Sequence, residues 1–149
     1  QRQMCIRDSR EGATDRASFQ NFSFNFDSAA GIIYTVDVTK PKGEKITIIS
    51  MADGTPFSMD KMYKVALNSY RGNGSGELLT KGAGIPQDEL KGRILFSTDK
   101  DLRYYLMQYI EKKGVIEPHA LGQWKFIPEE WVEPAAKRDY EYLFGKVEK

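Results

Sequence analysis

Two short runs of alternating residues constrain the fold of this chain more than any other feature of its sequence. The first run covers residues 32–38, and the second, which is rich in β-branched residues, covers residues 45–51. A period of two is typical of a strand with one buried face. Pro41-Lys42-Gly43 between the runs is a turn signal. We therefore predict a β-hairpin whose two strands pair antiparallel.

Shorter patterns of the same kind surround this hairpin. Alternation predicts a strand over Phe22–Phe26 and another over Met62–Tyr70, and Arg93–Phe96 is a third, shorter candidate. Asp53-Gly54 is a tight-turn signal, and Phe57–Lys61 is predicted to be a loop.

Helical periodicity begins only in the second half of the chain. Apolar residues from Leu102 to Ile110 recur at helical spacing, with Ser97 or Thr98 as the predicted cap and Gly114 as the stop. Residues 115–127 are predicted to be extended. Weaker helices are predicted at Pro128–Val132 and Ala135–Phe144. Strands followed by helices favour an α+β fold with largely antiparallel or mixed strands and a helix after residue 76.

Size and charge exclude several classes of protein. A chain of 149 residues is long enough for one domain with its own core. The formal charge of +1 argues against a dedicated nucleic-acid binder. No apolar run reaches the roughly 18 residues that a membrane span needs. One cysteine and one histidine exclude an internal disulfide and a multi-histidine metal site, and we expect no cofactor in this chain.

The first residues are suspect as native sequence. Gln1–Ser9 has no apolar period and resembles the translated adaptor sequence found at the ends of assembled metagenomic reading frames. We expect residues 1–9 to be a non-native leader and residues 10–18 to be frayed. Residues 19–149 are then the domain, and we expect it to be incomplete at its N-terminal side.

A glycine-rich loop at residues 71–76, called the glycine loop below, is the strongest candidate site. The predicted strand before it delivers an aromatic ring, an amide and a guanidinium to a backbone that glycine leaves open to a ligand. The ring of Tyr70 could stack on a base, Arg71 could pair with phosphate or stack, and Asn68 could hold a carbonyl or hydroxyl. A mobile hairpin loop with an edge tyrosine is the structural alternative. The candidate substrate-binding residues are Asn68, Tyr70, Arg71, Gly72, Asn73, Gly74 and Gly76.

Other aromatic side chains have simpler explanations. Tyr105 and Tyr109 lie on the apolar stripe of the predicted helix, so burial in the core is favoured over ligand stacking. Leu106, in the middle of that stripe, is predicted to be buried. Trp124 and Trp131 are predicted to be packing anchors.

Three polar residues are likewise assigned structural roles. His119 follows Pro118 in a predicted loop, and a surface or capping role is favoured over general-base catalysis. Asp99 and Asp101 are interpreted as helix-start residues rather than a metal pair. No catalytic residue and no metal ligand is predicted in this chain.

Two ordered segments carry a family resemblance. GIIYTVDVTKPKGEKI (residues 31–46) and DGTPFSMDKMYKVALNSYRGNGSG (residues 53–76) resemble the C-terminal domain of the 5'-nucleotidase family. That family includes UDP-sugar hydrolases and 2',3'-cyclic-nucleotide 2'-phosphodiesterases, and the NSYRG form is most similar to the cyclic-phosphodiesterase branch. The resemblance spans roughly Phe19 to Trp124.

The resemblance implies a layered α/β/β/α domain that sandwiches a nucleobase between two aromatic rings. Tyr70 matches the second ring, whereas the first belongs to a GGG-x-R segment that this chain lacks. The family loop usually contains GGDGF or GGDGY, and Gly74-Ser75-Gly76-Glu77 stands here instead. The resemblance also implies a partner, an N-terminal metallophosphoesterase domain with two divalent metal ions. It further implies a periplasmic, cell-surface or secreted location.

These points predict a nucleotide- or nucleoside-recognition domain of an exported bacterial nucleotide phosphohydrolase, inactive by itself. The expected partners are a nucleotide or nucleoside ligand and the metallophosphoesterase domain of the same parent chain. A non-catalytic nucleotide-binding or protein-interaction module is the alternative. A single-stranded nucleic-acid binder is disfavoured because the chain has no basic stripe.

Overall fold

A computed structural model describes residues 5–7, 17–19 and 26–145 of the chain. The strands are β1 (Cys5–Arg7), β2 (Ala17–Phe19), β3 (Ile32–Asp37), β4 (Ile46–Met51) and β5 (Trp124–Ile127). The α-helices are α1 (Ser69–Gly72), α2 (Leu102–Lys113) and α3 (Glu129–Phe144). Short 3₁₀ turns cover Ser75–Glu77 and Leu90–Arg93, and one π-helical turn covers Leu78–Gly82.

The predicted hairpin is confirmed and forms part of a three-stranded mixed sheet. Strand β3 is central, with β4 antiparallel on one side and β5 parallel on the other. The register places Tyr34 opposite Ile48 in β4 and opposite Trp124 in β5. A separate two-stranded sheet pairs β1 with β2 antiparallel. Mixed strands with helices confirm the α+β class.

Aromatic packing on the central strand forms the core of this sheet. Tyr34 and Val36 are each only 6% exposed. The indole of Trp124 stacks on the Tyr34 ring with centroids 5.9 Å apart, and it meets the Phe126 ring edge-on at 5.1 Å. The Tyr34 hydroxyl accepts a hydrogen bond from the Ala29 N–H at 3.2 Å, so the buried phenol is satisfied. Trp124 is therefore the packing anchor that the sequence predicts.

Two predicted strands are wrong. Residues 62–68 are irregular, and Ser69 and Tyr70 begin helix α1 instead of ending a strand. Arg93 closes a 3₁₀ turn, and residues 94–98 are irregular. Alternation predicts which face of a strand would be buried, but a strand also needs a backbone partner. Among the described residues, none pairs as a strand with either segment. The strand predicted at Phe22–Phe26 falls outside the described residues except for Phe26, which is irregular.

Helix α2 ends where the sequence predicts, but the cap predicted at Ser97 or Thr98 and the predicted burial are both wrong. Asp101 is the actual cap, because its Oδ1 atom accepts from the Tyr104 N–H at 2.9 Å, and Gly114 terminates the helix. The burial predicted for Leu106 is wrong, since its side chain is 50% exposed. Tyr105 and Tyr109 are also exposed, so their predicted core placement is wrong. No described segment covers this apolar stripe, and periodicity cannot reveal whether a partner surface exists.

Helix α3 joins the two weaker helices predicted near the C-terminus. Pro134 lies between the two predicted segments, and a proline lacks the N–H that an interior helical position donates. The structure continues through Pro134 as one helix. Trp131 on this helix is exposed, so its prediction as a packing anchor is wrong.

The chain divides into two compact units. The sheet unit comprises Gln1–Asp60 and Leu121–Lys149, and the loop unit comprises Lys61–Ala120. Within the described residues, no helix is long and apolar enough to cross a membrane.

Candidate functional site

The candidate site lies in the loop unit, where helix α1 runs directly into the glycine loop. Asn68 precedes the helix in an extended conformation, and its Oδ1 atom accepts a hydrogen bond from the Arg71 N–H at 2.8 Å. This is an N-cap, and it explains why the chain turns helical here despite the alternating pattern before it. One lone pair of the Asn68 amide is thus used locally. Its NH₂ group is the donor that it can offer a ligand.

Glycine is required at two positions of the loop. Gly74 and Gly76 have φ angles of 87° and 71°, which residues with a Cβ rarely adopt. A Cβ on Gly74 would lie 2.8 Å from Leu90 Cδ1 and would also overlap the Gln87 amide. The glycines therefore let the loop backbone pack closely against its neighbours.

Glu77 extends this unusual backbone beyond the glycines. Among the described residues, Glu77 is the one non-glycine residue with a left-handed conformation, at a φ of 62°. Its carboxylate pairs with Lys81 at 2.5 Å, with both side chains largely exposed. A strained residue at the end of a candidate site is consistent with a functional constraint on the loop.

Gln87 and Leu90 support the loop, and no pattern in the sequence indicates this role. The Gln87 side chain donates to the Asn73 carbonyl oxygen at 3.0 Å, and Leu90 is 5% exposed. Gln87 lies 14 positions after Asn73 in the sequence, and Leu90 lies further still. Neither belongs to a recognisable motif. Only the three-dimensional contact identifies them.

Tyr70 and Arg71 have opposite exposures although they are adjacent. Tyr70 is 51% exposed, whereas Arg71 is 4% exposed. The Arg71 guanidinium lies over the Tyr70 ring, with Cζ 5.3 Å from the ring centroid. The tyrosine can therefore offer ring surface to a ligand, whereas the guanidinium is turned into the protein.

All seven predicted site residues lie in one segment of the sequence, and the structure folds that segment as a cap at Asn68, helix α1 and the turn up to Gly76. A Cβ on Gly72 would meet no heavy atom within 4 Å, so that position is open. Gly72 also donates its backbone N–H to the Asn68 carbonyl oxygen at 2.9 Å. The candidate site is thus a short helix followed by a turn. Its glycine residues carry no side chains, and the half-exposed ring of Tyr70 lies beside them.

Two polar residues outside this segment, His119 and Asp101, have the surface and helix-start roles that the sequence predicts. His119 is exposed, and its Nδ1 atom lies 3.2 Å from the Glu117 carbonyl oxygen. In residues 5–7, 17–19 and 26–145, no three His, Cys, Asp or Glu side chains group together to hold a metal ion. The donor set described here therefore does not fit a two-metal centre.

Comparison with known proteins supplies the family. A profile described as "5'-nucleotidase, C-terminal domain" matches residues 7–81, half of the chain. The trifunctional nucleotide phosphoesterase protein YfkN of Bacillus subtilis is 29% identical over 133 residues, covering 81% of this chain and 8% of that protein. A 2',3'-cyclic-nucleotide 2'-phosphodiesterase/3'-nucleotidase of Haemophilus influenzae is 26% identical over 121 residues, covering 71% of this chain and 17% of that protein.

This chain spans less than a fifth of the length of either relative. No solved structure matches it. The profile match includes the hairpin β3–β4, helix α1 and the whole glycine loop. On this match, the chain belongs to the 5'-nucleotidase C-terminal domain family.

Proposed function

We propose that this chain recognises the nucleoside part of a nucleotide for a phosphoester hydrolase, with the base stacked on Tyr70. One observation carries the proposal: the half-exposed Tyr70 ring lies beside a loop whose glycine residues carry no side chains. Stacking of a base on an aromatic ring contributes about 1–3 kcal/mol and tolerates different bases. The Asn68 NH₂ group would donate to a ribose or base oxygen, and the backbone at Gly72, Asn73, Gly74 and Gly76 would line the ligand.

Hydrolysis is assigned to another part of the parent polypeptide. The two relatives are named as phosphoesterases, and each is much longer than this chain. We propose that a metallophosphoesterase domain with two divalent metal ions cleaves the phosphoester in the periplasm, at the cell surface or outside the cell. This chain would contribute by holding the nucleoside so that the phosphate is positioned for attack.

Ligand-observed NMR tests this function on the chain itself. Adenosine should give a saturation-transfer signal with a Kd of about 1 mM or weaker, because a single stacking face supplies little binding energy. Ribose 5-phosphate, which has no base, should give no signal.

Two variants locate the binding. Tyr70→Ala should weaken adenosine binding about tenfold to hundredfold, the equivalent of one lost stacking contact. Tyr104→Ala is the matched control, since Tyr104 is a similarly exposed tyrosine in helix α2 at 45%. Equal binding of ribose 5-phosphate, or equal weakening by both variants, would contradict the proposal.

A further inference from the structure

Arg71 is the charged residue that the structure buries beside the candidate site. An ionised side chain that is 4% exposed must be compensated by contacts within the protein. Its Nη1 atom lies 3.5 Å from the Ser75 carbonyl oxygen, and its guanidinium lies over the Tyr70 ring. One contact is with the backbone of the glycine loop, and the other is with the tyrosine that directly precedes it.

The space occupied by this guanidinium exists because residue 76 is glycine. A Cβ on Gly76 would overlap the Arg71 Nη1 atom and lie 2.9 Å from Cζ. The same Cβ would be 3.3 Å from Cε1 of Tyr70. The guanidinium, the tyrosine ring and the Gly76 backbone therefore pack at one point.

We propose that Arg71 is a positioning residue that fixes the Tyr70 ring, leaving the uncovered face of the ring for the base. A planar guanidinium stacks on an aromatic face in a way that a lysine ammonium does not. The ligand is the nucleoside, and Arg71 does not contact the phosphate because its charged group is buried. This inference rests on the proposed function and replaces the phosphate contact that the sequence suggested for Arg71.

The test compares two ligands that differ only by a phosphate group. Adenosine and adenosine 5'-monophosphate are titrated into the wild-type chain and into Arg71→Lys, which keeps the positive charge but loses the planar group. A positioning role predicts that both ligands bind about tenfold more weakly to the variant, by the same factor. Weakening confined to the monophosphate, or no weakening of either ligand, would overturn the inference.

Controls separate positioning from a general loss of structure. Arg93→Lys alters an exposed arginine, which pairs with Glu89 at 2.9 Å in the same unit, and it should leave both affinities unchanged. The aromatic ¹H resonances of Tyr70 should shift in ligand-free Arg71→Lys, because the group over the ring has changed. Those of Tyr104 should not shift. Unchanged Tyr70 resonances would also overturn the inference.

A second variant covers the case in which Arg71→Lys does not fold. Gly76→Ala keeps every functional side chain but displaces the guanidinium, so it should weaken both ligands alike. Gly84→Ala is its control, because Gly84 has a similar φ of 69° but a Cβ there meets nothing within 4 Å. If the wild-type chain binds no adenosine, the proposed function fails. If it binds and only Tyr70→Ala weakens it, the inference about Arg71 fails and the proposed function stands.

Discussion

At the scale of single residues, the proposed binding depends on the opposite exposures of Tyr70 and Arg71. One presents ring surface and the other is buried behind that ring. In the proposed site the hydroxyl is not needed for stacking, since the base would bind the face of the ring. The proposed binding therefore depends on where the ring is held rather than on an acid or base.

This argument predicts the effect of a conservative change at the ring. Tyr70→Phe should bind adenosine with an affinity within about twofold of the wild type, because base stacking uses the face that both rings share. Saturation-transfer titration of the two proteins side by side measures this. A loss as large as that of Tyr70→Ala would mean that the hydroxyl, and not the ring face, holds the ligand.

A second prediction at this scale concerns pH. In the turn after β3, the hydroxyl and backbone N–H of Thr39 donate to the Asp37 carboxylate at 2.6 and 3.0 Å, and these bonds lower the pKa of Asp37. A pKa lowered in the folded state stabilises the fold above the unfolded pKa, and this stabilisation is lost as pH falls through the folded value.

Titration of the Asp37 carboxyl by NMR should therefore give a midpoint below the ordinary value for aspartate. Thr39→Val removes the hydroxyl bond, the largest cause of the shift, so it should raise the Asp37 pKa towards that value. The pKa of Glu129, lowered by its hydrogen bond to Lys125, should not change in this variant and is the internal reference. An Asp37 midpoint that is the same in both proteins would contradict the assignment.

At the scale of elements, pairing between strands that are close in sequence could be predicted, whereas pairing between distant strands could not. The β3–β4 hairpin follows from alternation and a turn within twenty residues of sequence, and both strands form. The parallel pairing of β5 with β3 joins residues far apart in sequence, such as Tyr34 and Trp124. No local pattern encodes that partner, so the sequence predicted an extended segment without its place in the sheet.

The candidate site shows the same limit. Contiguity of Asn68 to Gly76 could be predicted because it is a property of the sequence, and the stretch was recognised from its glycines. The burial of Arg71 could not be predicted, because an arginine beside a glycine-rich loop equally suggests a phosphate contact. The bracing of Gly74 by Gln87 and Leu90 has no sequence signature at all.

The exposure of helix α2 leads to a prediction about stability. Leu106→Ala should change the free energy of unfolding by less than about 1 kcal/mol, because half of the side chain is already in water. Leu90→Ala, at a buried site, should cost about 2–5 kcal/mol. Urea denaturation of the two variants gives the comparison. A loss for Leu106→Ala that equals the loss for Leu90→Ala would show that the α2 stripe is covered in solution.

At the scale of the whole molecule, the account proposes that nucleoside recognition and phosphoester hydrolysis belong to different parts of the parent polypeptide. Its described residues group no metal-binding side chains, and its relatives extend far beyond the part that it matches. We expect the purified chain to leave bis-p-nitrophenyl phosphate intact even with added Mn²⁺, Co²⁺ or Zn²⁺, because it has a single histidine and its described residues group no ligands for two metals. Metal-dependent release of p-nitrophenol by the pure protein would contradict this division.

The most direct test of the account is to observe the loop while a nucleoside binds. The chain, labelled with ¹⁵N and ¹³C, is titrated with adenosine, and the backbone and aromatic resonances are followed to saturation. The account predicts that the largest shifts fall on the Tyr70 ring, the Asn68 side-chain amide and the backbone of residues 71–76. If saturating adenosine shifts residues elsewhere while Tyr70 and Asn68 do not move, the glycine loop is not the nucleoside site.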